Sequence, residues 1–346
     1  MRSPRYTLAG GIEPFFCEYL NNFFDRGSLI VERLWTIPGV SEEFKSLLRQ
    51  ALPFNHHYLS DSEIKSDRWT LLPGLCCQAV GGVFEDADLI ALAWLHFYLA
   101  AQLMDSVQDM DEPDPWWKAI GSSGALNVAS GLFFFANLLL SELYHQNTPL
   151  NIAHQLTLAI NQDLLLMCNG QYFDVINNTK SLGDYWRQAD NKSGIFFALA
   201  CKCGAILGDP SPDVVNKYRS FGYHLGMLIQ ILDDLEDWHT VLEKENDISI
   251  KNIPRSLPIV YTLEVLPVKE KIDFIHKLEA LSKSPATFTE IINIVNRSGA
   301  SIYIFSEMQK HFEGAQNALA ESKGQVGAIN MLEELLSSLL PEASEL

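Results

Sequence analysis

The chain has 346 residues, 47% of them hydrophobic and 20% charged, with a formal net charge of −18. A chain this acidic repels nucleic acid and anionic lipid surfaces, so neither is expected as a partner. An anionic substrate is awkward as well, unless cations stand between it and the protein.

The opening MRSPRYTLAGGIEPFF lacks the charged start and apolar run of a signal peptide. Apolar residues at helical spacing then run near 13–33, 41–51 and 74–82. The next stretch, 87–108, is apolar nearly all round, which marks a central helix of a large bundle. The stretch 124–145 lies in a window without charge between Lys118 and Glu142, the one membrane-like window of the chain. Its Ser130 and Asn137, with Ser122, Ser123, Asn127 and several glycines, favour a buried helix over a span. Further helices are expected over 150–177, 183–206 and 212–240, the last again apolar nearly all round. The stretches 255–265, 269–282, 287–295, 299–318 and 325–339 follow, and those past residue 265 carry no motif. Prolines 38, 53, 73, 113, 149, 210, 212 and 254 punctuate these stretches, and no β-type alternation persists. The expectation is an all-α fold: one large helical bundle over residues 1–346 with a central apolar cavity. Cysteines at 17, 76, 77, 168, 201 and 203 show no C-x-x-C spacing. They read as reduced core thiols of a cytoplasmic protein.

Chemistry enters with two acidic clusters. The first is Asp105-Ser-Val-Gln-Asp109-Met-Asp111-Glu112, at the end of the apolar run LIALAWLHFYLAAQLM. The second is Asp233-Asp234-Leu-Glu236-Asp237, at the end of YHLGMLIQIL. Asp105 and Asp109 share one helical face, as do Asp233 and Asp237. Like charges at that spacing repel, and the negative end of the helix dipole disfavours them further. One such pair is more often a solvated helix face. Two, each ending a long apolar helix, suggest a multivalent counter-charge. Hard oxygen ligands select Mg²⁺, with Mn²⁺ as the substitute, in two or three ions shared with phosphate oxygens. Such ions neutralise a departing diphosphate and lower the barrier to carbon–oxygen cleavage. A dry apolar slot suits a prenyl chain and protects an allylic cation. Trp94, Phe97 and Tyr98 are candidates to stabilise that cation, though each is more often a plain core residue.

With these residues in place, the sequence resembles the trans-prenyl diphosphate synthase superfamily over roughly residues 55–265. The resemblance implies a class I, Mg²⁺-dependent, all-α enzyme with two aspartate motifs facing across a cavity. It makes Asp105, Asp109, Asp233, Asp234 and Asp237 the metal ligands. His96 matches a histidine common upstream of the first motif, and Gln230 a glutamine before the second. Gly222 and Gly226 match glycines that let helices approach. Gly170-Gln171-x-x-Asp174 matches a recurring segment, and Tyr185 with Lys192-Ser193-Gly194 matches the tyrosine and lysine motif. By the resemblance Lys192 contacts the allylic diphosphate with Gln171 near it, and Lys251 or Arg255 stands where a closing-segment lysine belongs.

Two departures bear on function. Chain-elongating members carry Gly-Lys-Arg where this chain reads Ser66-Asp67-Arg68-Trp69, so at best Arg68 survives. They carry an Arg-Arg pair where it reads Pro113-Asp114-Pro115-Trp116-Trp117-Lys118. Ser106 also replaces an aspartate of the first motif. One basic site is therefore expected where coupling two diphosphates needs two. The favoured expectation is a terpene synthase on the prenyl synthase scaffold, releasing a hydrocarbon or alcohol. The alternatives are a prenyltransferase, either chain-elongating or acting on a neutral acceptor such as an indole, and an inactive partner subunit. Trp116 and Trp117 are the candidates to line an acceptor site. Ala101 and Ala100 leave the slot open below the first motif, with Phe97 as its floor, which favours a substrate of about C15 to C25. A homodimer through 124–145 is expected.

Overall fold

The computed structural model describes residues 13–52, 68–108, 110, 115–145, 148–176, 181–243, 256–280 and 285–339. Among these residues every regular element is helical. Helices α1 (Glu13–Leu34), α2 (Glu42–Gln50) and α3 (Leu72–Ala79) lead to the central α4 (Asp88–Gln108). Then come α5 (Gly121–Glu142), α6 (Leu150–Val175), α7 (Leu182–Ala189) and α8 (Ile195–Leu207). The long α9 (Pro212–Glu243) is followed by α10 (Leu257–Val265), α11 (Val268–Ala280), α12 (Pro285–Ser298), α13 (Ala300–Ser322) and α14 (Val326–Ser337).

The apolar faces read from the sequence explain the packing. The most extensive helix pairs are α4 on α5, α8 on α9 and α9 on α13. One continuous core holds Leu92, Phe97, Phe197, Phe221, Leu228 and Leu232. A smaller core of Trp238, Ile259, Phe274, Ile291 and Val295 gathers the end of α9 with α10, α11 and α12. Of the remaining motifless stretches, α13 packs on α9 and α14 on α3. Polar side chains set the helix starts: Ser41 accepts from the Phe44 amide at 3.2 Å and Ser181 from the Asp184 amide at 3.1 Å.

Three details differ from expectation. The stretch 183–206 is not one α-helix, because Asp190–Gly194 forms a π-helical turn between α7 and α8. A single added residue leaves apolar periodicity nearly unchanged, so sequence spacing does not register it. Its neighbour α9 supplies the room. A Cβ on Gly226 would lie 2.4 Å from the Ser193 carbonyl oxygen, and one on Gly222 2.4 Å from that of Phe197. Both positions therefore require glycine for close helix approach. Second, Cys168 is exposed, whereas Cys76, Cys77, Cys201 and Cys203 are buried free thiols. Third, Ala100 is packed away in the core instead of facing a slot.

By length and composition, Phe84–Gln108 and Gly121–Glu142 could cross a membrane. The first is 72% buried inside the protein, as a core helix is, and the second 44%. The outer face of α5 leaves Phe134 and Leu138 exposed, and α6 adds Leu158 and Leu165.

Burial holds two histidines neutral. His96 donates from Nδ1 to the Leu92 carbonyl at 2.7 Å, and burial lowers its pKa to about 4. His311, against His224, is likewise lowered to about 4 by burial, then by the His224 and Lys310 charges. Both fall below the ordinary value near 6.5, so the unfolded chain binds more protons between these values. Their contribution to stability is complete above pH ~6.5 and is lost as pH falls towards ~4. The melting temperature should drop over that window by an amount equivalent to a few kcal/mol, on the order expected for two such groups. His96→Leu should flatten the slope in a melting series from neutral to acid pH.

Candidate active site

A cavity of about 340 Å³ lies between α4, α5, α6 and the start of α8. Helix α4 lines it with Phe97, Tyr98, Ala101, Gln102, Met104, Asp105 and Gln108. Phe133 comes from α5, and Leu164, Met167, Cys168, Gln171, Tyr172 and Val175 from α6. Lys192 comes from the π turn and Phe196 from α8. The helical period decides the α4 set, since residues 97, 101, 105 and 108 fall along one stripe.

The polar end of this cavity is organised around Asp105. Lys192 Nζ lies 2.9 and 3.0 Å from its two carboxylate oxygens. Gln171 Nε2 donates to Asp105 Oδ1 at 2.7 Å and to Gln108 Oε1 at 2.9 Å. Burial pushes the Asp105 carboxyl up, but the Lys192 charge and the hydrogen bonds from Lys192 and Gln171 pull it down. The net position is below the usual range, so the group stays ionised.

The second aspartate motif connects to the first through the π turn. Ser193, next to Lys192, donates to Gln230 Oε1 at 2.7 Å. Gln230 Nε2 donates to Asp234 Oδ1 at 3.1 Å. Asp234 Oδ2 accepts from the Leu257 amide at 2.7 Å, at the start of α10. Asp234 is buried, and its carboxylate therefore also caps a helix. Tyr185 stands beside both acids. Burial, then the charge and hydrogen bonding of Asp234 and the charge of Asp233, push its phenol well above the ordinary value.

The donor set suits a hard divalent ion. The acids are carboxylates, and Gln171 presents its amide nitrogen to Asp105 and to the Gln108 oxygen. Among the described residues no three acidic, histidine or cysteine side chains already converge as a closed metal cage. Mg²⁺ is ordinarily held by one or two carboxylates and completes its shell with water and phosphate oxygens.

The structure thus brings together Asp105, Gln171, Lys192, Phe97 and Ala101 around one cavity. It joins Gln230 and Asp234 to them by hydrogen bonds, with Asp233 adjacent on α9. Asp237 falls within α9, while Asp109, Lys251 and Arg255 lie outside the described residues. Trp94 and Trp117 are core residues, and neither lines the cavity. Arg68 is 2% exposed, has its guanidinium 4.5 Å from the Trp69 ring centre, and does not line the cavity either. Sequence reasoning passed over Gln108, Phe133, Phe196 and the Leu257 amide. Phe196 had a signal, four residues after Lys192 and so one turn along. The Leu257 amide had none, because a backbone donor leaves no mark in the sequence.

Known proteins carry the same arrangement of helices. A family model for polyprenyl synthetases matches residues 74–295. A geranylgeranyl diphosphate synthase of Methanosarcina mazei is 25% identical over 240 residues, covering 67% of this chain and 71% of the relative. The heptaprenyl diphosphate synthase component 2 of Bacillus subtilis is 28% identical over 252 residues, covering 68% and 69%. Among solved structures, a polyprenyl synthetase from Streptomyces coelicolor superposes with a TM-score of 0.75 at 20% identity over 93% of this chain and 99% of the other. A geranylgeranyl pyrophosphate synthetase from Pyrococcus horikoshii gives 0.74 at 18% identity over 93% and 98%. The structural likenesses speak to the fold.

Removing Lys192 leaves the Asp105 carboxylate without its adjacent cation. Lys192→Met should destabilise the metal-free protein by about 1–3 kcal/mol, less than a fully buried pair because both groups keep some solvent contact. Mg²⁺ with inorganic diphosphate should then raise the melting temperature of the variant less than that of the parent, because an anion entering this end of the cavity has lost the cation lining it. Thermal melts of both proteins, with and without the two ions, check this.

Proposed function

Because the chain belongs to the polyprenyl synthetase family, we propose that it is a prenyltransferase that ionises an allylic prenyl diphosphate and passes the prenyl group to an acceptor. The observation carrying this reading is the Lys192–Asp105–Gln171 cluster at one end of an otherwise mostly apolar cavity. A diphosphate belongs at that end, and an isoprenoid chain in the remainder.

Asp105 and Asp109 on one side, and Asp233, Asp234 and Asp237 on the other, are the residues to hold Mg²⁺. The bound ions supply positive charge to the leaving diphosphate. Lys192 is the protein's own cation for that group, and Gln171 orients both Lys192's partner and the approaching phosphate oxygens. Gln230 keeps the second motif in register with Lys192 through Ser193. Lys251 or Arg255 is proposed to bind the diphosphate, by the resemblance. The apolar walls exclude water while the cation exists. Ala101 and Phe97 set the room for the chain, which supports a substrate of about C15 to C25.

The named relatives make prenyl diphosphates, so isopentenyl diphosphate is the first acceptor to test. One observation favours a second reading, a terpene synthase that needs no charged acceptor. Among the described lining residues Lys192 is the single cation, and Arg68 packs on Trp69 instead. Purified protein with Mg²⁺ and C10 to C25 allylic diphosphates, with and without isopentenyl diphosphate, decides between them by mass spectrometry of the products. A longer diphosphate made only with isopentenyl diphosphate is the transferase outcome. A hydrocarbon or alcohol made without it is the second reading. Asp105→Asn and Asp233→Ala should each lower kcat by about 10²–10³ or more; unchanged turnover in either would remove the metal-assisted ionisation.

We also propose a homodimer through the outer face of α5, supported by exposed Phe134 and Leu138. Sedimentation should give a dimer for the parent and a monomer for Phe134→Glu. A parent that sediments as a monomer removes the dimer.

A further inference from the structure

One side of the cavity is a flat aromatic wall. Tyr98 on α4 and Phe196 on α8 lie side by side, with ring centroids 6.0 Å apart and planes 17° apart. Both rest on Trp94. The indole is 5.6 Å from Tyr98 at 6° and 4.6 Å from Phe196 at 19°. Tyr98 and Phe196 line the cavity and Trp94 does not, so the indole backs the other two rings. Hydrogen bonds fix the assembly. Trp94 Nε1 donates to the Phe196 carbonyl at 3.1 Å, and Gln102 Nε2 donates to the Tyr98 hydroxyl at 3.0 Å.

The wall sits below the diphosphate end on both sides. Phe196 follows Lys192 by one turn, and Tyr98 precedes Asp105 by two, roughly 6 Å and 10 Å along the helices. The lining also holds the apolar Phe97, Ala101 and Phe133, with Gln102 at the wall's edge on the Tyr98 hydroxyl. Phe97 meets Phe133 at 5.7 Å with planes tilted by 46°. That pair closes the slot rather than extending the flat surface.

The face of an aromatic ring carries negative charge density, and it attracts a cation most strongly where water is absent. We propose that Tyr98 and Phe196, stacked on Trp94, stabilise the allylic cation formed in the cavity. The proposal rests on the ionisation reading above. In the step concerned the bond from carbon 1 to the diphosphate oxygen breaks. The electron pair leaves with the oxygen, the positive charge spreads over carbons 1 and 3, and no proton moves. Tyr98 and Phe196 are then catalytic through their ring faces.

Fluorination tests this without changing shape much, since each fluorine drains charge from the ring face. Phe196 would be replaced in the full-length protein by mono-, di- and trifluorophenylalanine. The logarithm of kcat should fall in even steps, about tenfold from phenylalanine to the trifluoro residue, with KM unchanged. A prenyl ammonium ion bound with inorganic diphosphate should lose affinity in the same steps, while its uncharged carbon isostere should not. A flat kcat series in an active enzyme overturns the wall and leaves the ionisation reading standing. Equal losses for the ammonium ion and its isostere also overturn the wall. A parent protein that turns over no allylic diphosphate sinks the ionisation reading and the wall with it.

Discussion

The contact between Lys192 and Asp105 is the interaction on which the site depends. It crosses from the π turn to α4, between residues 87 positions apart in sequence. In a chain of net charge −18, a partly buried carboxylate needs a cation close by to stay ionised. Lys192 provides it, and the π turn fixes where Lys192 stands. That turn persists because Gly226 lets α9 press against the Ser193 carbonyl. From Ser193 the hydrogen bonds run through Gln230 and Asp234 to the amide of Leu257. The two aspartate motifs are therefore parts of one polar strut through a mostly apolar bundle, and α10 is fastened to its far end.

This arrangement divides the cavity by chemistry. Charge is confined to one end, where α4 brings Asp105 and the π turn brings Lys192. The remainder is hydrocarbon and aromatic surface. A substrate with an anionic head and an apolar tail fits such a division in one orientation. The family to which the chain belongs processes substrates of that shape, as the names of its relatives state. Among the described residues, Lys192 is the one cation that lines the cavity. Arg68 is packed on an indole.

Much of this was legible in the sequence, because helical period and charge are local properties. The all-α fold, the central helices, the stripe of Phe97, Ala101 and Asp105, and the role of Gly222 and Gly226 all follow from spacing or motif. Lys192 and Gln230 were legible only through the resemblance, and the hydrogen bonds that tie them to Asp105 and Asp234 were not legible at all. Other features were hidden for physical reasons. The π turn adds one residue without disturbing hydrophobicity. Ala100 and Ala101 are identical in type, and only their helical angle sends one into the core and the other to the cavity. Cys168 reads as a core thiol by composition, but α6 turns it outward at the cavity's edge. Comparison with known proteins moved weight from terpene synthesis towards prenyl transfer, which motif losses alone had argued against.

The π turn also governs phase. Each residue of an α-helix rotates the chain by about 100°, so one inserted residue offsets everything beyond it by that angle. Tyr185 and Trp186, before the turn, are out of step with Phe196 and Phe197, beyond it, relative to an unbroken helix. This offset lets Tyr185 look towards the second motif while Phe196 looks into the cavity. Deleting any one residue of Asp190–Gly194 would restore a regular helix and turn one of those groups away. The segment is thus intolerant of changes in length even where it tolerates changes in side chain. A family member shortened there by one residue would have to build its aromatic wall from a different helix position.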